Sequence, residues 1–349
     1  MKIIYFTKYT RKGASSRLRS YQYFPFLEEA GFSVSVFPLF SDKYLNQLYN
    51  GKVSKITILN CYFKRLINLY KISKKTKVVI EKELFPYLPA WAEQFLSFLG
   101  INYVVDYDDA IFHNYDKNRN SFIRFLLKNK IDVVMRNSKC VMAGNSYLKS
   151  RADEAGAKRV YIIPTVIDLN RYTVQEKDIS NTNFVIGWIG SPSTFKYVQE
   201  IAPVLKELAL NGASIHIVGA NGDLGFTKNV TFISWNEESE VNNISNFDVG
   251  IMPLEDTPWE KGKCAYKLIQ YMACGLPVVA SPIGMNNEVV HSGENGFLAS
   301  TNLEWSEALN KYKNNPDLRR RNGKFGKAIV EEGYTVKSRI DSLLEIIKK

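Results

Sequence analysis

Short apolar runs alternate with longer amphipathic segments along the whole chain. Each run is rich in Val and Ile and is followed by Gly, Pro, Asp or Ser, which is typical of buried strands. The segments between the runs have helical periodicity, and the first predicts a helix from about Ser16 to Ala30 that stops at Gly31. This alternation predicts parallel sheets covered by helices on both faces. The predicted strands are 2–6, 33–39, 77–83, 102–109, 140–145 and 159–168, followed by 183–190, 214–220, 230–235, 248–254 and 277–284.

The two series of strands are separated by a polar segment, YTVQEKDISNTN, at 172–183. At 349 residues the chain is long enough for two domains, because single cores seldom grow beyond about 250–300 residues. We therefore predict two Rossmann-like α/β domains, residues 1–170 and 171–334.

Composition excludes several classes of protein. No apolar run reaches the roughly 18 residues of a membrane-spanning helix, and the N-terminus lacks the apolar core and cleavage site of a signal peptide. Four cysteines (Cys61, Cys140, Cys264 and Cys274) show no metal-like spacing. We expect them to be reduced thiols in a cytosolic protein.

Positive charge is concentrated in the first half of the chain. Residues 1–170 contain 27 Lys and Arg against 14 Asp and Glu, whereas residues 171–349 contain 19 against 21. Such an excess indicates a polyanionic partner, either a membrane or nucleic acid, unless it only makes the surface soluble. None of the usual nucleic-acid-binding motifs is present, so we expect an anionic membrane surface.

The segment KRLINLYKISKKTK (64–77) has the composition of an amphipathic helix that lies in a membrane interface. Its cations would meet anionic lipid and its apolar residues would enter the headgroup region. The alternative is a surface helix whose apolar side packs on its own sheet.

The strand ends of the second half carry candidate ligand-binding groups, because ligands of open α/β sheets bind beyond the carboxyl ends of the strands. The segment GSPSTFK (190–196) is predicted to open a helix there. Backbone amides and hydroxyls at such a helix start can bind an anion, although Ser and Thr also serve simply as N-caps. The candidate residues are Gly190, Ser191, Ser193, Thr194 and Lys196.

A second candidate set precedes the last strand. Lys263 and Lys267 are four residues apart and Gln270 is three further on, so a helix would place all three on one face. Two lysines there repel each other slightly unless an anion lies between them. With the 190–196 turn they could surround a diphosphate, and Gln270 could reach a ribose hydroxyl.

Residues 263–298, KCAYKLIQYMACGLPVVASPIGMNNEVVHSGENGFL, resemble the donor-binding signature of the family 4 glycosyltransferases, which have the GT-B fold. Weaker similarity extends to IPTVIDLNRY (163–172), GWIGSPST (187–194), DVGIMPL (248–254) and KGASSRLRSYQ (12–22). The resemblance implies two Rossmann-like domains that face each other across a cleft. It also implies that a C-terminal helix at about 335–349 returns to the first domain.

The chain departs from this family at one point. The family commonly has a Glu-x7-Glu pattern, and Gln270 stands where the second Glu is expected. Glu260 is close enough in sequence to take the place of the first Glu, which usually contacts the donor sugar. Glutamine can still bind a diol.

The resemblance assigns acceptor binding to the first domain, where Gly13, Ser15, Ser16 and Arg17 follow the first strand. This loop does not match a dinucleotide-binding GxGxxG. We expect Asp108 or Asp109 to orient a sugar hydroxyl or take the acceptor proton; the alternative is a structural or helix-capping cluster. With Asp106, Asp108 forms an Asp-x-Asp motif that suggests a divalent metal site, but the resemblance implies a metal-independent enzyme.

The resemblance thus implies a retaining hexosyl- or N-acetylhexosaminyltransferase. We expect a UDP-sugar as donor substrate, no cofactor, and a lipid-linked or other saccharide acceptor in surface polysaccharide (O-antigen, capsule or lipopolysaccharide) synthesis. The expected location is cytoplasmic, on the inner face of the cell membrane. The alternatives are another GT-B enzyme, such as a nucleotide-sugar epimerase or a glycan phosphorylase, and a two-domain clamshell ligand-binding protein.

Overall fold

The computed structural model of the chain describes residues 1–49, 51–172 and 183–348, so most of the predicted linker lies outside the described residues. These residues form two compact units. The first unit comprises Met1–Thr165, Gly262–Cys264 and Arg339–Lys349. The second comprises Val166–Lys261 and Ala265–Ser338.

The first unit contains a six-stranded sheet with the order β2-β1-β3-β4-β5-β6, and every adjacent pair is parallel. A parallel sheet needs both faces covered, and all five residues of β4 are buried. The strands are β1 Lys2–Phe6, β2 Ser33–Val36, β3 Lys77–Glu81, β4 Tyr103–Tyr107, β5 Cys140–Ala143 and β6 Val160–Ile162.

The second unit repeats this architecture with the order β12-β11-β10-β7-β8-β9, again with only parallel pairs. Renumbered within the unit, this is the Rossmann order 3-2-1-4-5-6. The strands are β7 Val185–Ile189, β8 Ser214–Val218, β9 Val230–Ile233, β10 Val249–Met252, β11 Val278–Ala280 and β12 Gly296–Leu298.

Helices connect the strands and cover both sheets. Those before β7 are α1 Ala14–Arg19, α2 Phe24–Glu29, α3 Asp42–Tyr49, α4 Lys55–Leu69, α5 Trp91–Phe98, α6 His113–Asp116, α7 Ser121–Leu127, α8 Lys130–Asn137 and α9 Ser146–Glu154. Those after it are α10 Lys196–Glu200, α11 Ala202–Leu210, α12 Glu240–Ser245, α13 Pro258–Lys261, α14 Tyr266–Ala273, α15 Asn286–Val289, α16 Asn302–Asn314, α17 Pro316–Gly333 and α18 Val336–Lys348.

The α/β class and the parallel sheets are confirmed, but two details differ from the prediction. The helix predicted from Ser16 to Ala30 is broken by a short 3₁₀ turn, Tyr21–Tyr23, before α2. Pro25 stands in the first turn of α2, and because proline has no N–H it cannot continue the preceding helix. Strand β12 was not predicted, since its three residues are too few to show a period.

Each sheet has one point where the strand order reverses, between β1 and β3 in the first unit and between β7 and β10 in the second. Loops from these neighbouring strands diverge at the carboxyl edge and leave a crevice, which is where ligands of such sheets bind. The sequence-predicted residues following β1 and β7 therefore lie beside switch points.

Two glycines of α17 allow it to pack closely on α14. A Cβ on Gly323 would lie 1.9 Å from the carbonyl oxygen of Gly275, just beyond α14. A Cβ on Gly326 would lie 2.9 Å from a side-chain carbon of Met272. The position of α14 therefore depends on the absence of side chains at these two sites in α17.

Candidate active site

In the second unit, the carboxyl end of β7 lies beside an ammonium group. The Nζ of Lys267 is 4.6 Å from the centroid of the Trp188 ring. A Cβ on Gly190 would lie 2.3 Å from that ring and 2.9 Å from Lys267 Nζ, so only glycine fits. Gly190 is therefore packed closely against a cation at the switch point, and its amide donates to the Val218 carbonyl at 2.9 Å. The ammonium at this strand end is the group suited to an anionic ligand.

Gly219, at the end of β8, extends this close packing. Its φ is +85°, and a Cβ there would lie 2.3 Å from the carbonyl oxygen of Gly190. The two strand ends approach each other without intervening side chains.

The predicted turn after Gly190 forms, but as 3₁₀ structure. Pro192–Thr194 is a single 3₁₀ turn, and α10 after it has only five residues. The Thr194 hydroxyl donates to the Ser191 carbonyl (3.0 Å) and accepts from the Ser191 amide (3.3 Å). The hydroxyls of Ser191 and Ser193 are 2.9 Å apart and lie at the exposed surface. The turn thus caps itself, as the N-cap alternative expected, while its hydroxyls remain at the surface.

Lys196 is paired with a carboxylate. Its Nζ donates to both carboxylate oxygens of Glu255 at 3.1 Å, beyond the end of β10. Partial burial and a hydrogen bond with Glu255 raise the pKa of the neighbouring Glu200 to about 7. A ligand that used Lys196 would have to compete with Glu255.

Glu260 and Gln270 are both buried and engaged by tyrosines. Glu260 accepts hydrogen bonds from the hydroxyls of Tyr197 and Thr257. Gln270 donates from Nε2 to the Tyr172 hydroxyl at 3.2 Å. Burial, followed by the bond to Glu260, raises the pKa of Tyr197, which therefore stays a donor.

Lys263 does not share a helical face with Lys267, which corrects the sequence interpretation. Ala265 has φ +49°, in the left-handed region, and α14 begins only at Tyr266. A left-handed residue interrupts a right-handed helix, so Lys263 lies before α14 and outside it. Its carbonyl accepts from Asn145 Nδ2 at 2.9 Å, and it is grouped with the first unit.

In the first unit, Asp108 lies beyond β4 and is held by a buried lysine. Lys82 Nζ is 2.8 Å from Oδ1 of Asp108 and 3.1 Å from Oδ2 of Asp109. Burial alone would raise the pKa of Asp108, but the charges on Lys82 and Arg19 lower it to about 2. Such a carboxylate is a poor proton acceptor near neutral pH; it can accept hydrogen bonds and stabilise positive charge. The side chain of Asp109 is more exposed, at 33%.

The predicted acceptor loop is bonded to the same acidic cluster. Ser15 Oγ donates to Asp108 at 2.6 Å, and Ser16 Oγ donates to Glu81 at 2.7 Å. Arg17 is buried at 6% exposure. A Cβ on Gly13 would lie 2.4 Å from Cβ of Tyr9, so the start of α1 is closely packed. The loop thus supports Asp108, and its hydroxyls already have partners.

Asp106, the third carboxylate of this segment, is paired with Arg19. Both side chains are almost fully buried, and Arg19 Nε donates to Oδ2 at 2.9 Å. Within the described ranges, no group of three or more His, Cys, Asp or Glu is placed to hold a metal ion.

Sequence reasoning missed the residues that fix these groups in place. They are Trp188 beneath Lys267, Tyr197 beside Glu260, Tyr172 beside Gln270, and the buried cations Lys82 and Arg19. Lys82 offered a signal, since a lysine at the end of a buried apolar strand needs a carboxylate partner. The tyrosines offered none, because their partners are distant in sequence.

Exposed apolar side chains are concentrated on the first unit. Among the described residues, eighteen large apolar side chains of the first unit are exposed, against five in the second: Leu210, Phe232, Trp235, Leu303 and Phe325. A stripe along α4 accounts for several of the eighteen. It consists of Ile56, Leu59, Phe63, Leu66 and Ile67, and it continues to Tyr70, the most exposed at 88%.

This stripe corrects the interpretation of residues 64–77. The helix begins at Lys55 and ends at Leu69, so Lys71, Lys74 and Lys75 follow it in a turn and Lys77 begins β3. The apolar residues of its outer face do not pack on the sheet, contrary to the alternative. No helix in the described part of the chain is both long and apolar enough to cross a bilayer.

Comparison with known proteins agrees with this architecture. Sucrose-phosphate synthase from Thermosynechococcus elongatus superimposes with a TM-score of 0.72 at 12% identity, covering 100% of this chain and 98% of that one. HepE from Anabaena, in complex with UDP and glucose, gives 0.73 at 16% identity, covering 100% and 99%. WaaG, a glycosyltransferase involved in lipopolysaccharide biosynthesis, gives 0.68 at 14%, covering 99% of both chains. The fold is therefore GT-B.

Residues 183–315 match the family model of the glycosyl transferases group 1. This range is therefore similar to that family, and the family resemblance of residues 263–298 is confirmed. No match was found among curated protein sequences. The matched range includes Gly190, Glu260 and Lys267.

Proposed function

We propose that the protein is a retaining glycosyltransferase that transfers a hexosyl or N-acetylhexosaminyl group from a UDP-sugar to a lipid-linked saccharide acceptor. The proposal places the reaction at an anionic membrane surface, in surface polysaccharide synthesis. The observation that carries it is the ammonium of Lys267, held between the Trp188 ring and Gly190 at the switch point of the second unit.

In this reaction the bond from the anomeric carbon to the diphosphate breaks, a bond to the acceptor hydroxyl oxygen forms, and the hydroxyl proton passes to the leaving diphosphate. Negative charge develops on the leaving diphosphate. Lys267 and the backbone after β7 would stabilise that charge, because fixed cations and dipoles act strongly where they need not reorganise. The structures of HepE with UDP and with UDP-glucose support a UDP-sugar as the donor class.

Glu260 and Gln270 act as positioning residues in this proposal. Both are buried and bonded to tyrosines, so they would shape the wall that faces the donor sugar and ribose. In the first unit, ionised Asp108 would orient an acceptor hydroxyl together with the more accessible Asp109. Its pKa of about 2 disfavours proton abstraction by Asp108 itself.

The lipid-linked acceptor and the membrane are supported by the surface of the first unit. The same part of the chain carries the excess of Lys and Arg and most of the exposed large apolar side chains. Cations beside exposed apolar residues are the composition of surfaces that bind anionic membranes. WaaG, with a similar fold, acts in lipopolysaccharide biosynthesis.

The test is turnover of a panel of nucleotide-sugars, with and without lipid-linked acceptors. We expect one UDP-sugar to be slowly hydrolysed alone and transferred faster when its acceptor is present. Binding without turnover of any donor would contradict the proposal and favour a clamshell binding protein. Conversion of the nucleotide-sugar to an epimer would identify an epimerase instead.

A further inference from the structure

A pocket of about 450 Å³ opens in the first unit, apart from the acidic cluster. One wall is the loop after β2, where Phe37, Pro38 and Leu39 contribute apolar surface. The other is one side of α4, which includes Cys61. Leu39 and Cys61 belong to one small apolar cluster with Phe40. The pocket therefore has an apolar floor close to the carboxyl edge of the first sheet.

Two cations from different helices line this pocket. Lys43 comes from α3 and Lys64 from α4, and both are exposed. Lys71 lies nearby, with Nζ 4.6 Å from the centroid of the Phe37 ring. The neighbouring carboxylate of Asp42 is already engaged by Thr10 and Lys12. The pocket thus combines an apolar floor with positive charge at its edge.

The pocket also adjoins the exposed apolar stripe of α4. Successive helical residues are turned by about 100° around the axis. On that basis Asn60 and Lys64, which line the pocket, lie between its buried side and the stripe of Phe63 and Ile67. A chain leaving the pocket at this edge would pass from the lysine directly onto exposed apolar surface.

We propose that this pocket binds the phosphate and the first chain carbons of a phosphorylated lipid, the carrier of the acceptor. The lysines would pair with the phosphate, and the floor would cover the first chain carbons. The rest of the chain would follow the α4 stripe toward the bilayer. This inference rests on the proposed function, since it names how the lipid-linked acceptor is held.

The apolar floor and the lysines at the edge together favour a lipid phosphate over other classes of ligand. A free sugar would leave the apolar floor uncovered, and a neutral lipid would leave the lysines without a partner. An inorganic anion would contact only the lysines at the edge of the pocket and would leave the apolar floor uncovered. A lipid phosphate matches both features, because charge-assisted bonds to phosphate and burial of chain carbons act together.

The probe for this site is geranyl phosphate, a soluble ten-carbon lipid phosphate. Binding to the full-length protein is measured by titration calorimetry with UDP at saturation, so that the second unit is occupied. We expect one saturable site in the wild type. We expect Lys43→Glu/Lys64→Glu to weaken binding about tenfold or more, as charge reversal at a phosphate should.

Lys55→Glu is the matched control, because Lys55 is exposed on the same helix and does not line the pocket. It should change the affinity less than twofold. Asn60→Trp, at the pocket edge, should also block binding without a change of charge. Geraniol and inorganic phosphate should each bind at least about tenfold more weakly than geranyl phosphate.

Three results would overturn the assignment. The first is that the wild type shows no saturable binding of geranyl phosphate. The second is that the control and the double variant lose affinity equally. The third is that inorganic phosphate binds with the same affinity as geranyl phosphate. Donor hydrolysis measured in the same variants separates this inference from the proposed function. Normal hydrolysis without geranyl phosphate binding rejects only the pocket, whereas absent hydrolysis of every donor rejects the enzyme.

Discussion

Lys267 lies over the indole of Trp188, with its Nζ 4.6 Å from the ring centroid. Gly190, two residues after Trp188, approaches both groups so closely that it can carry no side chain. The ring holds the ammonium by a cation–π interaction, which keeps the charge in place without neutralising it as a carboxylate would. The contact therefore fixes the position of the ammonium at the carboxyl end of β7.

Lys267→Ala should weaken binding of UDP at least about tenfold, because a hydrogen bond to a charged group contributes roughly 1.5–3 kcal/mol. Titration calorimetry on the folded variant measures the change. Lys261→Ala is the matched control, since Lys261 lies on the neighbouring α13 and pairs with Asp256. Unchanged UDP affinity in Lys267→Ala would remove this residue from the donor site. The same substitution at Lys263 shows whether a second lysine contributes.

Because Asp108 is paired with Lys82, the free energy of unfolding should decrease at acid pH. The native pKa of Asp108 is about 2, below the usual value of about 3.9 for an unfolded chain. The stabilisation is present above about pH 4 and is lost as pH falls toward 2, and it amounts to roughly 2–3 kcal/mol. Denaturant unfolding at several pH values should therefore show that the free energy of unfolding decreases less on acidification in Asp108→Asn than in the wild type. Identical pH profiles for the two proteins would contradict the pairing.

Chelation by EDTA should leave glycosyl transfer largely intact. The three carboxylates of the 106–109 segment are already paired with Arg19 and Lys82, so a divalent ion would have to displace buried cations. Initial rates before and after EDTA, with a protein sample dialysed in parallel, give the measurement. Full loss of activity that manganese or magnesium restores would show that the acidic cluster, or another site, requires a metal.

Vesicles containing anionic lipid should sediment the protein at low salt and release it at high salt, whereas neutral vesicles should not bind it. Each basic residue near an anionic surface contributes about 1 kcal/mol, and salt screens this attraction. Changing Lys71, Lys74, Lys75 and Lys77 to Glu should abolish sedimentation and leave donor hydrolysis unchanged.

The matched control carries the same change of charge on the second unit, at the exposed Lys206, Lys228, Lys324 and Lys337. It should sediment more strongly than the 71–77 variant. If sedimentation with vesicles decreased equally in both variants, net charge alone, rather than the surface of the first unit, would govern binding. If the wild type does not sediment with anionic vesicles at low salt, the membrane proposal fails and a soluble acceptor becomes the simpler proposal.

Strands were predictable where a buried apolar run ends at a turn residue. β1 matches its prediction at both ends, and β3 starts at the predicted Lys77. Predicted strands generally extended too far at the carboxyl end, because apolar residues such as Phe37 and Leu39 continue the run after the strand, here β2, has ended at Val36. β12 was not predicted because it is defined by its pairing with β11 rather than by a pattern in its own sequence.

The site was predictable where one local motif carries it and unpredictable where a distant residue completes it. Gly190 and Lys267 were both identified from local sequence, but the ring of Trp188 that joins them was not. Lys263 was placed on α14 because helical spacing cannot reveal the left-handed backbone of Ala265. Glu260 and Gln270 looked like ligand-facing groups because their tyrosine partners lie 63 and 98 residues away.

The close approach of Gly323 to Gly275 affects how this enzyme could be engineered. A glycine inside an 18-residue helix is an obvious target for thermostabilisation, since alanine is better in helices by about 1 kcal/mol. Here the added methyl group would meet a carbonyl oxygen at 1.9 Å and push α17 away from α14. Because α14 carries Lys267, a substitution made for heat resistance in α17 should also displace a residue of the proposed donor site and weaken UDP binding.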